Sequence, residues 1–366
     1  MTEPEALQQV RRTYVRWRGR ALSYFGGCDY FRLASHPRVK AAWQTGLKKF
    51  GGNVAASRVT TGNHAVYAEL EAALADFFGA SAALLVSTGY MANSVAAQGL
   101  RGSFSRVLLD GKAHGSLQDA APQFRCLIQP FKHADAADLA ATLARTGAQN
   151  RPVLLTEGLF GQNGEIAPLD AYLRALPAHG VVLLDDAHAA GVLGARGRGT
   201  PEHTGAGRER FIQTITLSKA FGVYGGAILT TRAWRQRIIE SSLMFAGSTP
   251  LPPPLAYAAL TALGLLRTDA GLRGRLEANV QHVKGRLLER GANVPNTPAP
   301  IIAWETSSPT MARTVRRRLL AAGVYPSFIH YQGGPAAGYF RFAISSEHTR
   351  QQLDDLLRAL AGPTGS

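Results

Sequence analysis

The chain has 366 residues, of which 46% are hydrophobic, so it can bury a sizeable core but is too long for one compact domain. Lys and Arg number 40 against 25 Asp and Glu, a net charge of +15. The only cysteines, Cys28 and Cys126, exclude a disulfide framework and a cysteine-based zinc site. With no apolar leader and no apolar run of membrane-spanning length, the sequence predicts a cytoplasmic protein.

The positive charge has three interpretations. Nucleic-acid binding requires cations gathered with aromatic residues on one face, but here most arginines are single, with short clusters at 11–20 and 316–318. A positive surface would also attract a polyanionic substrate such as a coenzyme A thioester. The third interpretation is that the cations are only solvated surface charges and bind no partner. We predict no nucleic-acid partner, no membrane and no metal.

Between residues 51 and 254, short β-rich runs alternate with amphipathic stretches such as 66–78. This alternation is typical of an α/β domain with a mostly parallel sheet covered on both faces. The predicted strands are residues 82–86, 106–109, 126–129, 153–156, 181–185, 213–216 and 226–229.

The tail has an α+β pattern, in which Ser308 and Pro309 are typical of a helix start. Its predicted elements are a helical region at 254–290, a strand at 301–304, a helix at 308–322, a strand at 339–344 and a helix at 348–360. The predicted domains are an N-terminal segment at 1–44, a large domain at 45–260 and a small C-terminal domain at 261–366.

Lys219 lies in TITLSKAFGVYGG at 214–226, where a strand ends. A solvated surface lysine needs neither flanking hydroxyls nor the glycines that follow. A lysine that forms a Schiff base with a cofactor needs close backbone approach, which glycine permits. Thr216 and Ser218 could then donate hydrogen bonds to a cofactor phosphate.

Asp185 and His188 lie in VVLLDDAHAAGVLG at 181–194, at the carboxyl end of an apolar strand, where ligands gather in open α/β sheets. Asp185 could pair with the protonated nitrogen of a pyridine ring and make that ring an electron sink, with His188 on its phenolic oxygen. The alternatives are a carboxylate pair for a divalent metal and a simple turn cap.

Two further turns follow strands. STGYMAN at 87–93 could bind an anion at a helix N-terminus through Thr88, Gly89 and Tyr90, although many β–α turns look like this. In DGKAHGSLQD at 110–119, His114 could lie against an aromatic ring or simply cap a helix.

These motifs, in this order, resemble the α-oxoamine synthase family of fold-type-I pyridoxal-phosphate (PLP) enzymes from about residue 29 to 360. The resemblance implies an aspartate aminotransferase-like fold, with a mostly parallel sheet in the large domain and a smaller α+β C-terminal domain. Further matching motifs are SRVTTGNHAVYAELE at 57–71, TEGLFGQNGEIAPL at 156–169, GSTPLPPP at 247–254 and GYFRFAISSEHTRQQLDDLLRAL at 338–360.

The resemblance also implies residue roles. Lys219 would carry the cofactor and act as acid and base, Asp185 would pair with the ring nitrogen, His188 with the phenolic oxygen, and His114 would stack on the ring. Thr88, Gly89, Tyr90 and Thr216 would hold the phosphate, with Ser248 and Thr249 reaching it from the partner subunit of a homodimer. Arg341 would bind the substrate carboxylate by its planar fork, and Glu157 would lie near the reacting centre.

The chain departs from the family pattern at several positions. NVAA at 53–56 stands where GSGG is usual, Cys28 where asparagine is usual, and Tyr67 where histidine is usual. Gly161 replaces a common serine, Asn163 a common aspartate, and Asp186 the second acid of Asp-Glu-Ala-His. These departures put the standard substrates of the family in doubt.

The resemblance implies a decarboxylative condensation of an amino acid with an acyl-CoA to give an α-amino ketone, CoA and carbon dioxide. SRVTTGNH resembles the oxononanoate synthase branch of the family, which uses alanine. This resemblance predicts L-alanine as the amino acid and pimeloyl-CoA as the acyl donor, as in biotin biosynthesis. An acyl donor of secondary metabolism, an aminotransferase of the same fold, and a non-enzymatic basic binding protein remain alternatives.

Overall fold

The computed structural model describes residues 6–145, 151–330 and 334–361. Its strands are β1 (Gln8–Arg11), β2 (Tyr14–Trp17), β3 (Arg20–Ser23), β4 (Ala82–Val86), β5 (Arg106–Asp110), β6 (Leu127–Phe131), β7 (Pro152–Glu157), β8 (Val181–Asp185), β9 (Phe211–Thr216), β10 (Gly226–Thr230), β11 (Ile301–Trp304), β12 (Phe328–Ile329) and β13 (Tyr339–Ala343). Its helices are α1 (Pro37–Phe50), α2 (Ala65–Phe78), α3 (Gly89–Gly99), α4 (Gly115–Ala120), α5 (Ala136–Ala144), α6 (Leu169–Ala175), α7 (Thr200–Thr204), α8 (Arg232–Ser241), α9 (Leu243–Gly247), α10 (Pro253–Thr268), α11 (Ala270–Glu289), α12 (Pro309–Ala321) and α13 (Arg350–Ala361).

The chain divides into two compact units. The larger unit comprises residues 36–160 and 166–269, and the smaller unit comprises 1–35, 161–165 and 270–366. The domain boundaries predicted after residues 44 and 260 stay a prediction. Among the described residues, no helix combines the length and apolarity required to cross a bilayer.

The larger unit is built on a sheet with the strand order β4-β10-β9-β8-β7-β5-β6. The pairs from β9 to β6 are parallel, whereas β10 is antiparallel to both of its neighbours. Strands such as β4 (AALLV) are buried at every residue because helices cover both faces of the sheet. Val153 packs with α3 and α4 on one face, and Leu154 packs with α5 and α6 on the other. The predicted mostly parallel, doubly covered sheet is therefore confirmed.

The parallel register places the carboxyl ends of three strands side by side. Glu157, the last residue of β7, is opposite Asp185, the last residue of β8. Asp185 in turn is opposite Thr214 near the end of β9. Gly226, the first residue of the antiparallel β10, is opposite both Thr216 and Val86. The polar residues at the carboxyl ends of the buried parallel strands thus lie together at one end of the sheet.

The smaller unit contains two antiparallel sheets, β1-β2-β3 and β11-β13-β12, and the helices α11, α12 and α13. Helix α12 begins at Pro309, with the Ser308 side chain accepting a hydrogen bond from the Met311 amide, as predicted. The helical region predicted at 254–290 is two helices, because the chain leaves helical geometry at Asp269 (φ −100°, ψ 85°). The final helix begins at Arg350 rather than at residue 348.

His348 is buried just before α13. Its Nε2 lies 3.0 Å from the Tyr24 carbonyl oxygen, its Nδ1 accepts from the Ser345 amide at 2.9 Å, and its ring stacks on Phe25 at 4.1 Å. Burial, together with the Arg32 charge, lowers the pKa of His348 from 6.5 to about 3. The folded state therefore resists a proton that the unfolded chain accepts below pH 6.5.

This lowered pKa predicts an acid-sensitive stability. The contribution of neutral His348 to the unfolding free energy is fully present above pH 6.5 and is lost as the pH falls toward 3. The loss amounts to about 2 kcal/mol at pH 5. Between pH 7 and pH 5 we expect His348→Gln to lose about 2 kcal/mol less unfolding free energy than the wild type in urea titrations. The exposed control His203→Gln should lose as much as the wild type. Equal losses in all three proteins would contradict the assignment.

Candidate active site

Lys219 lies in the turn between β9 and β10. Its Nζ is 2.6 Å from Nε2 of His188, which follows β8. Two protonated cations at that distance repel each other, so the contact favours a state in which one of the two groups is uncharged. A half-buried lysine amine is one of the side-chain groups that can form covalent intermediates with carbonyl compounds.

The Asp185 carboxylate is held by three donors at the end of β8. Its Oδ2 accepts from Asn93 Nδ2 at 2.7 Å and from Ser116 Oγ at 3.2 Å, and its Oδ1 accepts from the Ala187 amide at 3.1 Å. Asn93 is itself oriented by Thr214, whose hydroxyl donates to Asn93 Oδ1 at 2.6 Å. The side chain is buried, so these bonds hold a carboxylate in one orientation.

Asn93 and Ser116 were missed by the sequence analysis. Both lie inside motifs that it singled out, STGYMAN and DGKAHGSLQD. Asn93 is four residues after Gly89 in α3, so it shares a helix face with the turn that begins the helix. That spacing was the available signal, but it could not indicate that Asp185, 92 residues later, would be the partner.

His114 serves as the N-cap of α4 and also lines the site. Its Nδ1 accepts from the Ser116 amide at 3.1 Å, which is the structural role considered as an alternative. Burial lowers the pKa of His114, an effect that Asp185 opposes and Lys219 reinforces. The imidazole is therefore neutral at pH 7. The Tyr90 ring meets it edge-on at 5.9 Å, and the Tyr90 hydroxyl donates to Asp119.

The turn before α3 approaches the end of β9 closely. Thr88 is the N-cap of α3, its hydroxyl accepting from the Met91 amide. A Cβ at Gly89 would lie 2.5 Å from Thr216 Cβ, and a Cβ at Gly226 would lie 2.6 Å from the Gly89 nitrogen. Only glycine fits at these two positions. Gly89 is the first residue of α3, so the positive end of the helix dipole lies here and favours an anion.

These side chains surround one cavity of about 220 Å³ in the larger unit. Ser116 and Ala187 line the cavity together with eight of the predicted site residues. The eight predicted residues are Gly89, Tyr90, His114, Glu157, Asp185, His188, Thr216 and Lys219.

Ser248 and Thr249 take part in other contacts within the chain. The Ser248 hydroxyl donates to the Met244 carbonyl at 2.5 Å, and the Thr249 carbonyl accepts from the Ser87 hydroxyl at 2.6 Å. Neither residue lines the cavity of its own chain. Their predicted contact with the site of a partner subunit stays a prediction.

Arg341 lies on β13 of the smaller unit, between β11 and β12. Its Nε donates to the Gly161 carbonyl at 2.7 Å, and its terminal nitrogens Nη1 and Nη2 lie 3.7 and 3.6 Å from Cys28 Sγ. Its predicted role, binding a substrate carboxylate, stays a prediction.

Asp186, a departure from the family pattern, is a buried structural acid. Its carboxylate accepts from the Thr200 amide and hydroxyl and from Gln213 Nε2. Burial raises the pKa of Asp186 to about 6, although these donors oppose the shift. The pair of acids at the end of β8 is thus divided, with Asp185 in the cavity wall and Asp186 in the core. Within the described residues, no group of three or more His, Cys, Asp or Glu could hold a metal ion.

A family model described as aminotransferase class I and II matches residues 28–360. The chain belongs to the aminotransferase class I and II family. The 8-amino-7-oxononanoate synthase of Methylococcus capsulatus is 35% identical over 91% of this chain and 87% of the relative. The 8-amino-7-oxononanoate synthase of Thioalkalivibrio sulfidiphilus is 34% identical over 93% of this chain and 88% of the relative.

Solved structures agree with this membership. A serine palmitoyltransferase from S. paucimobilis, solved with a bound PLP-myriocin aldimine, has a TM-score of 0.91 and 29% identity, covering 98% of this chain and 92% of that chain. An 8-amino-7-oxononanoate synthase from Francisella tularensis has a TM-score of 0.79 over 93% of this chain and 97% of that chain; at 24% identity it shows the fold alone. This family member therefore has the fold-type-I architecture and is a PLP-dependent acyltransferase of the α-oxoamine synthase type.

The residues of this family member fit PLP. The donor set offers a buried carboxylate for a pyridinium nitrogen at Asp185, an amine for an aldehyde at Lys219, and a helix N-terminus for a phosphate at Gly89. The close approach of Gly89 to Thr216 is a backbone arrangement that any larger residue would block. Asn93 and Ser116 would keep the carboxylate aligned with the ring.

The close contact at Gly89 predicts that Gly89→Ala damages the phosphate end of the site. The added Cβ meets Thr216 at 2.5 Å, so backbone must move, at about 1–3 kcal/mol of unfolding free energy. We expect at least a roughly tenfold loss of PLP affinity, measured by fluorescence titration of the apoprotein. Gly274→Ala is the matched control, because Gly274 is exposed within α11 with open space around it. That control should gain about 0.5–1 kcal/mol; unchanged PLP affinity in Gly89→Ala would contradict the prediction.

Proposed function

We propose that this protein joins L-alanine to an acyl-CoA, releasing CoA and carbon dioxide and forming an α-amino ketone. The observation that carries the proposal is the fixed Asp185 carboxylate in the same cavity as the Lys219–His188 pair. This arrangement suits the stabilisation of a carbanion next to an amino group, which a decarboxylative condensation requires.

PLP, when bound, supplies an aldehyde that condenses with amines and a ring that delocalises negative charge. The protein's own groups do the rest. Lys219 holds or removes a proton at the substrate α-carbon, and His188, whose Nε2 lies 2.6 Å from its Nζ, orients the amine. Asp185 keeps a positive ring nitrogen protonated, because its orientation is fixed by Asn93 and Ser116. The neutral imidazole ring of His114 would provide a flat surface on which the cofactor ring could stack.

The names of the curated relatives support the choice of substrates. In 8-amino-7-oxononanoate, a methyl-bearing carbon with an amino group adjoins a ketone. That fragment is alanine without its carboxyl group, and the remaining carbons are a pimeloyl chain. Pimeloyl-CoA is therefore the acyl donor of this proposal, and the net charge of +15 favours a polyanionic CoA ester.

The proposal includes a homodimer with shared active sites. Ser248 and Thr249 do not line the cavity of their own chain, which is consistent with their acting on a partner's phosphate site. Size-exclusion chromatography with light scattering measures the mass, and Thr249→Ala should weaken PLP binding without changing that mass.

A substrate panel tests the proposed reaction. The holoenzyme is incubated with alanine, glycine or serine and with acyl-CoA esters of different chain lengths, and three products are followed. These are free CoA thiol, carbon dioxide from the labelled carboxyl group, and the aminoketone by mass spectrometry. Alanine with pimeloyl-CoA should give all three in equal amounts.

The same panel separates the alternatives. An aminotransferase would convert alanine to a 2-oxo acid without releasing CoA thiol. Turnover with another acyl ester but not with the pimeloyl ester would keep the reaction type and overturn the named donor. Preference for glycine or serine would overturn the amino acid.

A further inference from the structure

Two departures from the family pattern, Cys28 and Gly161, contact the same arginine. Both lie with Arg341 in the smaller unit. The Gly161 carbonyl accepts from Arg341 Nε at 2.7 Å and so fixes the plane of the guanidinium. Cys28 Sγ lies 3.6 and 3.7 Å from its two terminal nitrogens, so the sulfur faces the end of the fork.

A thiol at this position is a weak acceptor when neutral and a full negative charge when ionised. Although burial lowers the pKa of Arg341, the interactions with Cys28 and Tyr30 outweigh that effect and raise it. The coupling is reciprocal, because a guanidinium beside a sulfur favours the thiolate. The charge available at the fork therefore depends on whether the sulfur carries a proton.

We propose that ionisation of the Cys28 thiol controls how strongly Arg341 attracts the carboxylate of the amino-acid substrate. This inference rests on the proposed function and on the predicted binding of the substrate carboxylate by Arg341. When the Cys28 thiol is neutral, the guanidinium charge is available to bind the substrate carboxylate. When the thiol is ionised, the thiolate competes with that carboxylate for the same two nitrogens of Arg341. Affinity for the amino acid should fall as the pH rises through the ionisation of Cys28. Cys28 acts through Arg341 and is a positioning residue.

The surrounding groups do not titrate in the same range. Burial raises the pKa of both Tyr24 and Tyr30, so these phenols stay neutral near pH 8. Arg32 stays charged and also favours the thiolate. Burial raises the pKa of Asp29, although Arg32 and the Ala34 and Leu33 amides oppose this shift. Among the described residues, the titratable and charged side chains around Cys28 and Arg341 include Arg12, Tyr24, Asp29, Tyr30, Arg32 and Tyr339.

The first experiment measures amino-acid binding without an acyl donor. L-Alanine is titrated into the holoenzyme between pH 7 and pH 9, and the change in visible absorbance of the cofactor gives the dissociation constant. Titration of alanine, cofactor and Lys219 is common to the wild type and Cys28→Ser, so it cancels in the ratio of their affinities. Relative to Cys28→Ser, the wild type should lose about tenfold in affinity over this range. Cys126→Ser, the other cysteine of the chain, should behave as the wild type.

The second experiment needs neither cofactor nor turnover. Iodoacetamide is added to the apoprotein, and mass spectrometry follows alkylation of Cys28 and Cys126 separately. Loss of the guanidinium in Arg341→Gln should slow alkylation of Cys28 about fivefold, because less thiolate is present. Burial raises the pKa of Cys126, which serves as the internal control and should react at the same rate in both proteins.

The outcomes distinguish this inference from the proposed function. If alanine binds but the affinity ratio is constant with pH, or if Arg341→Gln leaves Cys28 alkylation unchanged, the inference is overturned and the proposed function stands. If no amino acid changes the absorbance, the proposed function fails and the inference fails with it.

Discussion

Lys219→Ala is expected to remove the covalent link between protein and cofactor and to lower turnover by at least roughly 10³-fold. Lys219 is the amine in the cavity wall, and its Nζ lies 2.6 Å from His188. General base catalysis alone contributes about 10²–10⁴-fold, and Lys219 is the one lysine among the described residues that line the cavity. After borohydride reduction, mass spectrometry of the wild type should show the cofactor on the peptide that contains Lys219.

The exposed lysine of α1 provides the control for this experiment. Lys48→Ala should keep both the covalent link and the wild-type rate. Thermal unfolding verifies that both variants are folded. Covalent retention of the cofactor together with turnover in Lys219→Ala would refute the assignment of this residue.

Asp185→Asn is expected to lower turnover about 10³-fold, which corresponds to roughly 4 kcal/mol of transition-state stabilisation. The neutral amide cannot balance a positive ring nitrogen, so the ring loses its ability to accept the developing charge. The size of the side chain is unchanged, so the cavity should still bind PLP. Steady-state rates with alanine and the acyl donor measure the effect.

Two controls accompany Asp185→Asn. The exposed Asp170→Asn should retain the wild-type rate. A cofactor analogue that carries a permanent positive charge at the ring nitrogen should restore part of the activity of Asp185→Asn, because the analogue needs no carboxylate to stay charged. Full activity with ordinary PLP would overturn the proposed role of Asp185.

The buried strands could be predicted because their apolar runs are continuous. Predicted and observed bounds agree for β4 and β8, both of which lie between covered faces. The strand predicted at 126–129 is observed at Leu127–Phe131, because this edge strand is partly exposed and contains Pro130, which an edge position tolerates. The N-terminal strands β1 to β3 have no comparable apolar run, so no local pattern indicated them.

The candidate site was predictable where a residue follows a strand, and less so where two distant segments meet. Lys219, Asp185 and Gly89 each adjoin a strand end, which is where ligands gather in such sheets. The contact between Arg341 and Cys28 joins residues 313 positions apart. No spacing in the sequence indicates that contact, because it depends on how β13 packs against the N-terminal segment of the smaller unit.

The place of β10 in the sheet has a consequence for synthesis of the chain. Strand β4 lies at the edge of the sheet and has β10 as its hydrogen-bonded neighbour, although about 140 residues separate them. A ribosome therefore exposes the apolar AALLV segment well before its partner emerges. We expect nascent chains truncated before residue 226 to aggregate through this unpaired segment, whereas chains that extend beyond residue 230 can shield it.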